Sequence, residues 1–162
     1  MERAAKPMAK LAPPRGVLRW LLKMPVVLYH AHLGWLLGHR FLMITHRGRT
    51  SGRIYHTVVE VVGFDRRTRE SVVASGWGEK ADWLKNIRAS SALEIRTGAM
   101  RYVPEQRFLE PVERVERLRE YEGEHPIAWR ELVRILGYPY DGTEASRQAL
   151  AENLPMVAFR PR

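Results

Sequence analysis

Thr45-His46-Arg47-Gly48-Arg49-Thr50-Ser51-Gly52-Arg53 lies between two apolar runs of different character. Phe41-Leu42-Met43-Ile44 before it reads as a short buried strand, and Tyr55 to Val62 after it as a β-branched strand with Glu60 as its only acid. The stretch itself is therefore a turn held by two strands. Its two glycines permit positive φ and close backbone approach, Thr50 and Ser51 offer hydroxyls, and three arginines supply rigid forks of donors. This chemistry suits an anion, and a phosphate best.

Around that turn the charge is segregated. The 162 residues carry a formal charge of +9, yet no Asp or Glu occurs between Arg3 and Val59, where Arg3, Lys6, Lys10, Arg15, Arg19, Lys23, Arg40, Arg47, Arg49 and Arg53 stand. The remainder is close to neutral, so the excess is a footprint for an anionic partner rather than a generally basic surface. The absence of cysteine excludes disulfides, a thiol nucleophile and thiolate metal sites. No signal-peptide pattern is complete, because Arg15, Arg19 and Lys23 interrupt the apolar residues, and a cytoplasmic protein is expected.

Residues 1–15 read as a mobile basic tail, leaving 16–162 as one domain. From Val17 to Leu37 the apolar residues are dense and read as an N-terminal helix broken or restarted at Pro25. The uncharged part, Met24 to Gly38, falls short of the roughly 18–20 apolar residues of a membrane span. It reads as a cap on the core, with peripheral membrane contact as the alternative. Downstream, Gly63 to Thr68 reads as a polar turn, Ser71 to Ser75 as a third strand, and Gly76 to Lys80 as a loop. Ala81 to about Ala89 reads as a short helix with Trp83, Leu84 and Ile87 on one face, followed by strands at Leu93–Thr97 and from Met100 to about Leu109. Helices opening at Pro111 and Ile127 follow, with Glu110/Arg114 and Glu113/Arg117 as i,i+4 pairs on the first. Asp141 with Glu144 resembles a capping box for a last helix through Asn153, and Leu154–Phe159 reads as a closing strand with Pro155 at an edge. About six mostly antiparallel strands with peripheral helices predict an α+β fold with a mainly β core, a small barrel.

Familiar catalytic patterns are missing. His30 and His32 would point about 200° apart on a helix, which is poor geometry for joint ligation, so no metal is expected. No Gly-x-Ser-x-Gly elbow, Walker pattern or complete dinucleotide fingerprint occurs. His46 and His56 flank the arginine turn and could touch a bound anion. What remains is the turn, a second glycine-rich loop at Gly76-Trp77-Gly78, and aromatics able to edge a planar ring.

The run His46-Arg47-Gly48-Arg49-Thr50-Ser51-Gly52-Arg53-Ile54-Tyr55, followed by Ala74-Ser75-Gly76-Trp77-Gly78, by Asp82-Trp83-x-x-Asn86 and by the final Leu154-Pro155-Met156-Val157, resembles the deazaflavin-dependent oxidoreductases of the nitroreductase and quinone reductase type. These are a branch of the split β-barrel, FMN-binding-like superfamily. The resemblance implies coenzyme F420 as cofactor, with FMN as the alternative, and hydride transfer to a small conjugated acceptor such as a quinone, nitro compound or enone. It implies Arg47, Gly48, Arg49, Thr50, Ser51, Gly52 and Arg53 as receptors of the anionic tail, and Ser75, Gly76, Trp77, Gly78, Lys80 and Trp83 along the ring or its linker. Trp35, Tyr138 and Tyr140 could face the acceptor, and a homodimer could form as in related split barrels. No side chain is assigned as catalytic, because the cofactor carries the hydride. The alternatives are a non-catalytic deazaflavin- or FMN-binding protein and a basic binder of membrane surface or nucleic acid; no nucleic-acid motif accompanies the charge, and nucleic acid is not the expected partner.

Overall fold

The strand before the arginine turn, β1 (Phe41–Arg47), is central because its apolar run leaves neither face for water. Leu42, Met43 and Ile44 are fully buried. The computed structural model describes residues 38–162, so the expectations for the N-terminal tail, the N-terminal helix and Trp35 lie outside the described residues. On one side β1 pairs antiparallel with β2 (Ile54–Asp65), Phe41 opposite Glu60 and Arg47 opposite Ile54. On its other side it pairs with β4 (Glu94–Thr97), Ile44 opposite Ile95.

The second strand is longer than its apolar pattern indicates. It continues through Gly63 to Asp65, where a polar turn was expected, and pairs there with β3 (Glu70–Ala74) after a register shift between Val61 and Gly63. That bulge bends β2, so its first half serves one wall and its second half the next. The hairpin turn falls at Arg66–Arg69 instead, where the Asp65 carboxylate accepts the Arg67 amide at 2.8 Å and Arg69 takes φ 57°.

The run from Met100 to Leu109 is broken at Val103 into β5 (Met100–Tyr102) and β6 (Pro104–Phe108), giving seven strands among the described residues where about six were expected. β5 pairs with β4, whereas β6 pairs with β7 (Met156–Pro161), so the order across the sheet is β5-β4-β1-β2-β3-β7-β6. Its two edges are consecutive in the chain, and the Arg162 amide donates to the Val103 carbonyl at 3.3 Å. The sheet thus curls into a nearly closed antiparallel barrel. β7 lies between β3 and β6, not at an edge; Pro155 precedes the strand, where its missing N–H costs no ladder bond.

β7 also shows why apolar residues run without interruption here. Val157 and Phe159 face the barrel interior with Leu42, Ile44, Val73 and Ile95, while Met156 and Ala158 face outward against Leu118, Trp129 and Leu150. Helix α1 (Asp82–Ala89) plugs the interior with Trp83, Leu84 and Ile87. Helices α2 (Pro111–Glu124), α3 (Pro126–Leu136) and α4 (Glu144–Asn153) cover the outer face.

Two local expectations are met by other hydrogen-bond partners. On α2, Glu113 pairs with Arg107 and receives the Glu110 amide, closing a capping box, while Arg114 donates to the carbonyls of Leu109 and Ala151. The cap of α4 is Thr143, whose hydroxyl accepts the Ser146 amide; Asp141 instead accepts from the Thr143 amide and hydroxyl.

Candidate functional site

The loop from Gly48 to Arg53 closes on itself before it touches anything else. The Gly48 amide donates to the Arg53 carbonyl at 2.7 Å and the Gly52 amide to the Gly48 carbonyl at 2.8 Å. Gly52 needs its φ of 68°, and a Cβ on Gly48 would stand 2.6 Å from Ser51 Oγ and 2.7 Å from a Tyr55 ring carbon. Arg47 folds back to donate to the Gly52 carbonyl at 2.9 Å, so it braces the turn.

Arg49 docks this loop on α1. Its amide and guanidinium both donate to Asn86 Oδ1, at 3.1 and 2.9 Å, and a second guanidinium nitrogen reaches Asp82 at 3.0 Å. Facing it is the loop after β3. There the Ser75 hydroxyl donates to the Gly78 carbonyl, the Gly78 amide returns to the Ser75 carbonyl, and the Ser75 amide donates to the Pro155 carbonyl, each at 2.8 Å. This knot leaves Trp77 53% exposed, a large apolar surface held in water by its backbone.

Between the two loops is a cleft of about 690 Å³. It gathers Gly48, Arg49, Thr50 and Ser51 from the first loop, Trp77 and Lys80 from the second, and Trp83 from α1. Of the other residues read from the sequence, Arg47, Gly52, Arg53, Ser75, Gly76 and Gly78 shape or flank these loops without lining the cleft. Tyr138 and Tyr140 do not line this cleft: both pack against the outer core, Tyr140 edge-on to Trp129 at 5.0 Å with its hydroxyl donating to Glu122 at 2.6 Å. Cleft residues without an assigned role in the sequence are Tyr55, Thr57, Ala81, Asp82 and Asn86. Asn86 had a signal, a polar side chain one turn beyond Asp82 on an otherwise apolar face, but its partners are 37 and 40 positions away.

Polar groups remain for a ligand. Among the described residues the Thr50 and Ser51 amides and the Thr50 hydroxyl have no hydrogen-bond partner, and they sit beside the Arg49 guanidinium. Such adjacent free amides in a turn form an anion-binding concavity. His46, in contrast, is buried and is held between Asn86 Nδ2 at 3.2 Å and Thr57 Oγ1 at 3.0 Å. Burial, reinforced by the neighbouring His56, pushes its imidazole from 6.5 down to about 4, so it is neutral at pH 7 and is not an anion's counter-charge. Among the described residues no group of three or more His, Cys, Asp or Glu side chains is placed to hold a metal ion.

Among the described residues, a nearly closed antiparallel barrel of seven strands, plugged by one helix and covered by three more, is a split β-barrel. Solved structures are similar to this chain. One described as a domain-swapped dimer superposes with a TM-score of 0.52 at 14% identity, covering 90% of this chain and all of that one. An F420-H2 dependent reductase, FDR-A, gives 0.49 at 16% identity over 76% of this chain and 96% of that one. A pyridoxamine 5'-phosphate oxidase-related, FMN binding protein from Nostoc punctiforme gives 0.48 at 16% identity over 94% and 82%. No protein-family model matches the sequence, and no curated protein matches it either. At 14% identity the likeness to the first of these concerns the fold alone.

Proposed function

We propose that this protein is an oxidoreductase that holds a flat, phosphorylated flavin-type cofactor in the cleft between the arginine turn and the Trp77 loop, with coenzyme F420 as the cofactor its sequence motifs resemble and FMN as the alternative. The observation that carries the reading is the pairing of unsatisfied donors with an exposed aromatic across one cleft: the Thr50 and Ser51 amides beside Arg49 on one wall, and Trp77 on the other. Phosphate is a strong acceptor that satisfies adjacent amides and a guanidinium together. A planar conjugated ring covers an exposed Trp at little entropic cost. Lys80 adds a cation at the rim, and the basic balance of the chain favours a polyanionic tail.

Bound there, the cofactor would supply hydride transfer, and the acceptor would be a small conjugated molecule such as a quinone, nitro compound or enone. The chain's own work is positional. The Asn86 clamp on Arg49 and the Ser75–Gly78 knot fix two walls, and the core packing of Trp83 sets the floor. Rigid walls keep a donor and an acceptor in reacting geometry, which accounts for much of the rate in reactions of this kind.

The test is titration of the purified protein with coenzyme F420 and with FMN, followed by absorbance and fluorescence. Saturable binding of one of them, weakened by Arg49→Ala more than by Arg53→Ala, is expected; absence of saturation by both in low salt refutes the reading. Saturation without turnover on any acceptor class would mark a cofactor-binding protein instead. Affinity for nucleic acid or anionic vesicles that survives excess cofactor would favour the basic-surface alternative. Light scattering on the same sample checks the expectation of a homodimer.

A further inference from the structure

We propose that the Thr57 hydroxyl is a hydrogen-bond donor fixed toward the cleft by His46, and that it recognises an acceptor atom, a carbonyl oxygen or an unprotonated ring nitrogen, on the edge of the bound ring. The class of ligand rests on the function proposed above; the donor assignment rests on the hydrogen bonds alone. Its starting point is Arg49. Two of its nitrogens, one amide and one guanidinium, donate to a single atom of Asn86 at 3.1 and 2.9 Å. Both are donors only, so that atom must be the amide oxygen, and the orientation of Asn86 is settled.

The other end of Asn86 is then its NH2 group, which can only donate, and it faces His46 Nδ1 at 3.2 Å. Nδ1 must therefore be the bare nitrogen. A neutral imidazole carries one proton, so that proton is on Nε2, which donates to Thr57 Oγ1 at 3.0 Å. The Thr57 oxygen is occupied as an acceptor on that side. Its own proton turns elsewhere, and among the described residues nothing accepts it. Thr57 lines the cleft and is partly exposed there.

The register explains why these side chains meet. His46 is opposite Tyr55 and Ile44 is opposite Thr57, so His46 and Thr57 share the barrel's inward face one diagonal apart. The protons of Arg49, Asn86, His46 and Thr57 all run in one direction, from the anion-binding turn to the cleft. The turn that would grip a phosphate thus also orients the group that reads the ring. In this arrangement His46 is a positioning residue and Thr57 the contact residue.

The experiment has two arms. Nitrogen-15 NMR of the ligand-free protein reads the His46 tautomer: a protonated Nε2 and a bare Nδ1 are expected, and a proton on Nδ1 would overturn the proposal even if cofactor binds normally. Titration of wild type, Thr57→Val and Thr57→Ser with FMN and coenzyme F420 reads the contact. Thr57→Val keeps the shape of the side chain and removes the donor, so affinity should fall by about tenfold, while Thr57→Ser should stay within about threefold of wild type. Equal binding by Thr57→Val overturns the contact. Binding of neither chromophore by wild type, with the Nε2 proton observed, sinks the flavin reading and leaves the donor assignment supported.

Discussion

Acidification should destabilise this protein through one buried imidazole well before its carboxylates respond. His46 is 2% exposed, and desolvation, followed by the charge of His56, holds its folded pKa at about 4 against 6.5 ordinarily. Asn86 opposes protonation further, because its NH2 already points at the only free ring nitrogen. Above about pH 6.5 the imidazole is neutral in both folded and unfolded chains, and its contribution is fully present. As the pH falls from 6.5 toward 4 the unfolded chain takes up a proton that the folded chain refuses, so stability declines, and the loss is complete once the folded group titrates. A gap of about 2.5 pH at 1.36 kcal/mol each corresponds to about 3 kcal/mol. Glu94, Glu113, Glu122 and Glu144 are held below 4.5 in the fold, so their own losses set in as the pH approaches 4.5 and run below it, later than the onset for His46. Urea unfolding across this range, on wild type and on His46→Gln, isolates the histidine: the wild-type slope should exceed the variant's by about one proton. Parallel slopes, or an imidazole that titrates near its ordinary value by NMR, would refute the account.

Three substitutions test the walls of the cleft. Gly48→Ala places a methyl group 2.6 Å from Ser51 Oγ and 2.7 Å from the Tyr55 ring, and should cost about 1–3 kcal/mol in thermal or urea unfolding while weakening chromophore binding. Asn86→Leu strips both Arg49 donors and the His46 ring nitrogen of their partner; a loss of about 3 kcal/mol is expected, with the His46 tautomer released to exchange in the NMR spectrum. Leu84→Ala empties a fully buried position under the cleft floor and should cost about 2–5 kcal/mol; an unchanged urea midpoint would show that α1 does not plug the barrel.

Residues 38–162 were legible where a local rule dominates. β1, the first half of β2, β3 and α1 follow from short-range periodicity, and the start of α2 at Pro111 from a fixed backbone preference; α3 opens at Pro126, one residue before the Ile127 read from the sequence, and Gly137 caps it with φ 66° in the left-handed region. The arginine turn and the loop at Gly76–Lys80 were recognisable as a pair because each carries its own glycines, but the turn begins at Gly48 and not at Thr45, since Thr45, His46 and Arg47 continue β1 in register with β2. What local rules could not supply was which arginine faces what. Arg47 and Arg49 are two residues apart with the same chemistry, yet one braces its own turn and the other clamps α1.

The sequence by itself determined the elements, the two loops and the cationic character of the site, because these depend on residue types at spacings of a few positions. Tertiary structure alone decided the break at Val103, the central place of β7, the packing of Tyr138 and Tyr140 against the outer core, and the hydrogen-bond partners of Asn86 and Thr57. Those outcomes depend on partners far off along the chain, as with Asn86 and Arg49. A hydrogen-bond donor is specified only when its acceptor has arrived, and in this barrel the acceptors arrive with closure of the sheet.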